Sequence, residues 1–176
     1  MSDEPDLGFK KLTVANWLEG DTVLTLFVSL SPDGSISYIS RDEWARRILE
    51  PQINGSVPFE IRRLFEVARG TMMYGYLFYP IFTLASEQLY RVAESAVSMK
   101  CAAMGAPKGR RNFEGKINWL AEHSVIDKSE KQKWHAIRGL RNLSSHPEQQ
   151  TISTPIHAVD MLNSIAHKVN ALFDPE

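Results

Sequence analysis

The sequence predicts an all-α protein, a helical bundle over about residues 58–174 with an N-terminal extension, and three observations lead to this class. Apolar residues recur at helical spacing in most segments after residue 40. Clusters of Pro, Gly, Asn and Ser separate these segments, as turns do. Hydrophobic residues make up 43% of the 176 residues and charged residues 23%, values typical of a globular domain long enough for one good core. We therefore divide the chain into an extension, residues 1–57, and a bundle, residues 58–176.

The extension contains one clearly patterned helix. Ser40 precedes the amphipathic run RDEWARRILE, whose first turn carries two acidic residues. Pro51 follows and cannot continue the helix, and the loop-like stretch PQINGSVP leads into the bundle. The pattern predicts a capped helix of about three turns.

An ambiguous segment lies before this helix. Residues 22–28 combine β-branched side chains with a possible helical face, and the turn signal Ser-Pro-Asp-Gly follows at 31–34. We favour a helix at residues 22–28. The alternative is a small hairpin in which residues 22–30 pair with residues 35–40.

The bundle is predicted to contain five helical segments. The longest starts at about Tyr76 and ends before Gly105, and Pro80 either begins it or kinks it near its beginning. Gly70 is the expected stop of the segment before it, and Pro147 closes the segment that carries most of the basic residues. The five segments are 58–70, 76–104, 113–124, 127–147 and 155–173.

The net charge of -1 conceals an uneven distribution of charge along the chain. Residues 100–146 carry 10 Lys and Arg against 4 Asp and Glu, whereas residues 1–60 carry 5 against 10. A local basic field of this kind suits a face that binds a polyanion, although a solvated basic helix gives the same pattern.

The composition argues against several other kinds of site. Cys101 is the single cysteine, so neither an internal disulfide nor a multi-cysteine metal site is possible, and its helical position predicts a buried thiol. The histidines are scattered without metal-ligand spacing, so we expect no metal and no cofactor. The N-terminus lacks the layout of a signal peptide, and the longest apolar stretch, 72–85, is too short to span a bilayer. We expect a cytoplasmic protein that does not enter membranes.

The most informative motif is the stretch from Arg141 to His146, followed directly by Pro147. Arginine holds phosphate with a planar fork of donors, and histidine moves protons near neutral pH. Arg138, Arg141 and Ser145 share one stripe of an ideal helix. Arg141 and His146 lie about 140° apart on that helix, so they meet only if the last turn loosens or if they belong to different chains.

The motif and the helices around it resemble the HEPN superfamily, whose signature is an arginine followed after four to six residues by a histidine. In this chain the pattern is Arg141-Asn142-Leu-Ser-Ser-His146, preceded by the apolar run of Trp134, Ile137 and Leu140. A long helix, a short helix with a basic entry loop, the motif helix and a closing helix follow one another over about residues 75–173. This order adds to the resemblance, because the six-residue motif alone is weakly specific.

The resemblance implies a fold and a set of site residues. The fold is an up-and-down bundle of four to five helices, which usually forms a homodimer with two Arg/His pairs in a cleft between protomers. Arg141 and His146 correspond to the catalytic pair, and Asn142 is the polar companion. Supporting roles are expected for Arg138, Ser145 and Glu94, the last either as a positioning group or as a salt-bridge partner. The basic loop is expected to contact RNA through Lys108, Arg110 and Arg111.

The implied activity is metal-independent cleavage of RNA by attack of its own 2′-hydroxyl, which leaves a 2′,3′-cyclic phosphate. Such a ribonuclease fits a toxin or an antiphage defence effector, with an antitoxin or regulatory protein as its partner. The alternative is a non-catalytic HEPN-like dimer that binds RNA, a nucleotide or a partner protein. A third reading is a structural helical protein in which Arg and His at a helix end only complement the helix dipole.

Overall fold

The structure, a computed structural model, describes residues 7–30, 33–107, 109, 112–144 and 152–174. The described part of the chain is all-α apart from one short hairpin. Its six α-helices are α1 (Arg41–Leu49), α2 (Phe59–Tyr74), α3 (Ile81–Ala103), α4 (Phe113–Glu122), α5 (Lys128–Ser144) and α6 (Pro155–Phe173). A 3₁₀ turn (Thr22–Leu26) and the strands β1 (Val28–Leu30) and β2 (Ile36–Tyr38) precede them.

The helix predicted after Ser40 is confirmed as α1. The Ser40 side chain accepts a hydrogen bond from the Glu43 backbone N–H at 3.1 Å, and α1 ends at Leu49, shortly before Pro51. Its apolar side carries Trp44 and Ile48, both buried in the same hydrophobic cluster as the bundle. The extension is therefore packed onto the core.

The helix favoured at residues 22–28 forms only in part, as a short 3₁₀ helix over Thr22–Leu26. β1 then pairs antiparallel with β2, Val28 opposite Tyr38. The turn before β2 contains Asp33, whose carboxylate accepts a hydrogen bond from the Ser35 backbone N–H at 2.9 Å, and Gly34, which has a φ of +83°. This turn chemistry and the β-branched content outweigh the helical spacing, so the hairpin alternative is confirmed in a shorter form.

Two predicted boundaries in the bundle also change. Gly70 does not end α2, because the buried face of this helix continues to Met72. The burial of these apolar side chains stabilises the helix by more than the unfavourable helix propensity of one glycine destabilises it. Pro80 does not kink α3 but stands immediately before it, so α3 begins at Ile81 and not near Tyr76.

The central helix of the bundle is α3, which contacts α2, α4, α5 and α6. Its buried side chains include Phe82, Leu89, Val92 and Val97, and the buried residues cover about half of the helix circumference. This apolar face is wide because several neighbouring helices pack on it, and α3 is therefore the scaffold on which α5 is placed.

The corner between α2 and α3 is predicted to be sterically intolerant. A Cβ added at Gly75 would lie 2.3 Å from a ring carbon of the buried Phe82. We expect Gly75→Ala to lower the free energy of unfolding by about 1–3 kcal/mol, because the ring has no space into which to move. Gly70→Ala is the matched control, since its added Cβ meets nothing within 4 Å, and it should raise stability by roughly 0.5–1 kcal/mol. Urea denaturation of both variants measures these opposite changes in the free energy of unfolding. An unchanged free energy of unfolding for Gly75→Ala would contradict the predicted steric clash with Phe82.

A buried lysine joins α6 to the start of α5. Lys168 is only 7% exposed, donates to the carboxylate of Glu130, and lies with its Nζ 6.0 Å from the centroid of the Trp134 ring. Hydrogen bonds from Lys133 and Lys168 lower the pKa of Glu130 to about 2. The carboxylate is thus held ionised against the buried ammonium group.

This ion pair predicts a pH-dependent contribution to stability. The pKa of Glu130 is lower in the folded protein than its ordinary value, so the contribution is complete above the ordinary value of 4.5 and is lost as pH falls towards about 2. We expect Glu130→Gln to cost about 2 kcal/mol at pH 7, because Lys168 loses its charged partner, and the deficit should shrink towards pH 3. Glu66→Gln, in the more exposed pair with Arg69, should cost under about 0.5 kcal/mol. Urea denaturation at several pH values tests this, and a deficit that is independent of pH would count against the ion pair.

Candidate functional site at the end of α5

Arg141, the arginine of the motif, is held from the central helix. Its Nε donates to a carboxylate oxygen of Glu94 on α3 at 3.2 Å, and its Nη1 donates to the side-chain oxygen of Asn142 at 3.4 Å. The side chains of Arg141 and Glu94 are 42% and 32% exposed, so the pair adds little to stability. Its consequence is orientation, because the carboxylate fixes one edge of the guanidinium.

Arg138, one turn earlier on α5, is directed towards a different neighbour. Its Nη1 lies 3.2 Å from a carboxylate oxygen of Glu114 on α4. Although Arg138 and Arg141 share a stripe of α5, their ion-pair partners therefore belong to different helices. The structure brings together Arg141, Glu94 and Asn142 from the predicted set, and it places Arg138 beside α4.

The remaining predicted site residues lie outside the described part of the chain. This applies to the histidine of the motif and to its neighbour, and also to the basic loop before α4; these residues are His146, Ser145, Lys108, Arg110 and Arg111. The described part of α5 extends to Ser144, whose hydroxyl donates to the Arg141 carbonyl at 2.9 Å. Arg141 is therefore the catalytic candidate whose surroundings are described.

A cleft of about 360 Å³ lies between α3, the last turn of α5 and the first turn of α6. Its α5 wall is formed by residues of the turn that carries Arg141, namely Leu140, Leu143 and Ser144, whereas Arg141 itself does not line it. The other lining residues come from α3 and from the segment that enters α6, and they are Thr83, Ser86, Glu87, Tyr90, Ile152, Ser153, Thr154 and His157.

Hydroxyl groups join the two sides of this cleft. The backbone N–H of Ser153 donates to the Thr83 hydroxyl at 3.1 Å, and the Ser86 hydroxyl lies 3.5 Å from that of Ser153. The His157 ring nitrogen Nδ1 lies 3.4 Å from the same Ser153 hydroxyl, and Thr154 caps α6 by accepting from the His157 backbone N–H. These contacts fix the entry to α6 against α3, so the cleft is a preformed feature of the fold.

The sequence alone does not reveal this cleft, because its α3 wall lies 50 or more residues from its other walls. One signal is present in the sequence. Glu87, Tyr90 and Glu94 are spaced i, i+3 and i+7, so they follow one face of α3. Glu94 was predicted as a positioning group or a salt-bridge partner, and this stripe places Glu87 and Tyr90 on the same face.

The other reactive side chains have structural surroundings. The Cys101 thiol is buried, and burial raises its pKa, so it is a poor nucleophile. His135 lies 3.2 Å from the Asn118 side-chain oxygen, and burial, aided by the charges of Arg138 and Lys131, lowers its pKa. Within the described ranges, no three His, Cys, Asp or Glu side chains are grouped so that they could hold a metal ion. None of the described helices combines the length and apolar character that crossing a membrane requires.

Comparison with known proteins gives one family match. Residues 76–174, more than half of the chain, match the model of a family described as a domain of unknown function, DUF4145. The matched segment begins before α3 and ends just after α6, so it contains Glu94, Arg141 and the cleft. No curated protein and no solved structure matches the chain.

Proposed function

The chain belongs to the DUF4145 family of domains of unknown function, and we propose from the residues around Arg141 that it is a metal-independent endoribonuclease of the HEPN type. The observation that carries the proposal is the attachment of Arg141 to Glu94 of α3 at a solvent-accessible place beside a preformed cleft. A purely structural surface arginine does not require a cleft next to it.

The extent of the family match supports the same reading. The matched residues, 76–174, coincide closely with the stretch of about 75–173 over which the helix order resembles HEPN proteins. The matched segment therefore contains Arg141 and His146, and the extension that precedes it lies outside the match.

On this proposal the chemistry is the attack of a ribose 2′-hydroxyl on the adjacent phosphorus. His146 takes the proton from that hydroxyl, or gives one to the departing 5′-oxygen, a contribution of roughly 10²–10⁴-fold. Arg141 holds the phosphate and stabilises the charge that grows on its oxygens. The bond from phosphorus to the 5′-oxygen breaks, and a 2′,3′-cyclic phosphate and a 5′-hydroxyl result. DNA, which lacks the attacking hydroxyl, is not cut.

The partners follow from the same proposal. One Arg/His pair offers few catalytic groups, so the active form is a homodimer in which two pairs supply acid and base. The basic segment, with Lys108, Arg110 and Arg111, attracts the RNA backbone. The protein acts in the cytoplasm as a toxin or antiphage effector, and an antitoxin or regulatory protein restrains it.

Incubation of the purified protein with transfer RNA and with total RNA, in EDTA, tests the proposal. We expect fragments that end in 2′,3′-cyclic phosphate, no cleavage of DNA of the same sequence, and loss of cleavage in His146→Ala. If the wild type cuts no RNA, the enzyme proposal fails. A salt-sensitive gel shift without cleavage would instead assign the protein to the binding modules.

A further inference from the structure

The position of the cleft along α3 relates it to the arginine site. Glu87 and Tyr90 line the cleft, and Glu94, which binds Arg141, follows Tyr90 by four residues on the same face. One helical turn is about 5.4 Å, so the edge of the cleft at Tyr90 and the residue that binds the guanidinium, Glu94, lie about one turn apart along α3. A phosphate held at Arg141 therefore has its own nucleoside within reach of the cleft.

The walls of the cleft suit a flat, partly apolar ring. Leu140, Leu143 and Ile152 supply aliphatic side chains, and Tyr90, which is 6% exposed, supplies an aromatic one. The volume of about 360 Å³ is near the lower end of the range for small-molecule sites, which is roughly 300–1,000 Å³. This space admits a nucleoside but leaves little room for a bulky side chain together with its backbone.

Two polar groups of the cleft have no hydrogen-bond partner in the part of the chain that the structure describes. Among the described residues, neither the Glu87 carboxylate nor the Tyr90 hydroxyl makes a hydrogen bond. Burial raises the pKa of Tyr90, and the Glu87 charge adds to the effect, so the phenol stays protonated as a donor. The cleft thus presents a carboxyl group as acceptor and a phenol as donor within an otherwise apolar and hydroxyl-lined space.

We propose that this cleft is a nucleobase pocket that selects a base with an exocyclic amino group, guanine above all, next to the phosphate held by Arg141. This inference rests on the proposed function, because the phosphate is that of the substrate RNA. A carboxylate pairs with N–H donors on a base edge, and guanine offers two adjacent ones, its ring N–H and its amino group. Cytosine and adenine offer an amino group alone. Uracil offers one N–H between two carbonyl oxygens, which the Glu87 carboxylate repels.

Equilibrium binding of the four 5′-ribonucleoside monophosphates tests the pocket without cleavage. We expect the wild type to bind GMP roughly tenfold or more tightly than UMP, as one good bidentate contact to a base allows. Glu87→Gln should abolish this preference, because its amide NH₂ faces the donors of guanine. Arg141→Ala should weaken the binding of all four nucleotides by a similar factor, since it removes the contact to phosphate. Glu50→Gln, on the exposed end of α1, is the matched control, and thermal melts confirm that every variant is folded.

Mapping of cleavage sites on an RNA of mixed sequence separates this inference from the proposed function. Cleavage beside guanine that becomes indiscriminate in Glu87→Gln supports both. Cleavage without base preference, together with equal binding of GMP and UMP, overturns the pocket and leaves the ribonuclease. Glu87-dependent binding of GMP without cleavage supports the pocket and overturns the ribonuclease. Loss of GMP binding when the protein dimerises would assign the cleft to a contact between protomers and overturn the pocket.

Discussion

Replacement of Arg141 by alanine is expected to lower the rate of RNA cleavage by roughly 10²–10³-fold, the loss typical of removing one group that stabilises transition-state charge. The guanidinium is positioned by the Glu94 carboxylate at 3.2 Å, so its donors are oriented before the substrate binds. Arg141→Lys keeps the charge but loses the planar fork, and we expect most of the loss to remain. Single-turnover cleavage of a labelled RNA gives the rate directly.

Glu94 is expected to act through Arg141 as a positioning residue. Glu94→Gln keeps the size of the side chain and one acceptor oxygen but removes the charge that holds the guanidinium. We expect kcat to fall roughly tenfold with little change in KM. The reason is that a misplaced guanidinium weakens the stabilisation of the transition state more than it weakens the binding of the substrate. If Glu94 had only a structural role, the variant would be less stable, but the kcat and KM of the folded enzyme would stay at their wild-type values.

Arg47→Ala is the control for both variants of the arginine site. Arg47 also forms a helical ion pair, with Glu43 at 2.6 Å, but it lies on α1, which packs mainly against α2 and α6. Its replacement should change cleavage less than twofold. If Arg141→Ala cleaves RNA as well as the Arg47 variant does, the assignment of Arg141 as a catalytic residue is wrong.

The fold was predictable where one local pattern dominated. α1 follows from Ser40, the periodicity of Trp44 and Ile48, and Pro51, all within one short stretch. At residues 22–28 two local patterns compete, and the outcome depends on the turn at Asp33 and Gly34, beyond the segment itself. Where the periodicity of a segment is weak, its secondary structure therefore depends on neighbouring segments, and the pattern within the segment carries no information about them.

The candidate site was predictable only in part for a related reason. The motif fixes Arg141 and Asn142 in sequence, and the family resemblance implied a positioning or salt-bridge role for Glu94, without naming its partner. The cleft depends on the packing of α6 against α3, through the contact of Ser153 with Thr83. No periodicity encodes a contact between residues 70 positions apart, so the polar pair of Glu87 and Tyr90 became visible as a pocket only in three dimensions.

Replacement of Asp21 by alanine is expected to destabilise the protein by about 2–4 kcal/mol, the second large effect that the structure predicts. Asp21 is 2% exposed, and its two carboxylate oxygens accept from the backbone N–H of Val23 at 3.1 Å and from that of Tyr79 at 2.8 Å. Its own N–H donates to the Tyr76 carbonyl at 2.9 Å. Alanine leaves two backbone donors without an acceptor in a largely buried place, each at a cost of about 1–3 kcal/mol.

The consequence of this loss reaches beyond the extension, because Tyr79 lies in the turn that starts α3. For a chain of this length, 2–4 kcal/mol corresponds to a fall in Tm of about 4–16 °C. Asp33→Ala is the matched control: Asp33 also accepts a backbone N–H, from Ser35, but it stands in an exposed turn, so its loss should cost under about 0.5 kcal/mol. Thermal melts of the two variants should therefore differ widely. Equal melting temperatures would mean that the Asp21 carboxylate does not anchor the extension to the bundle.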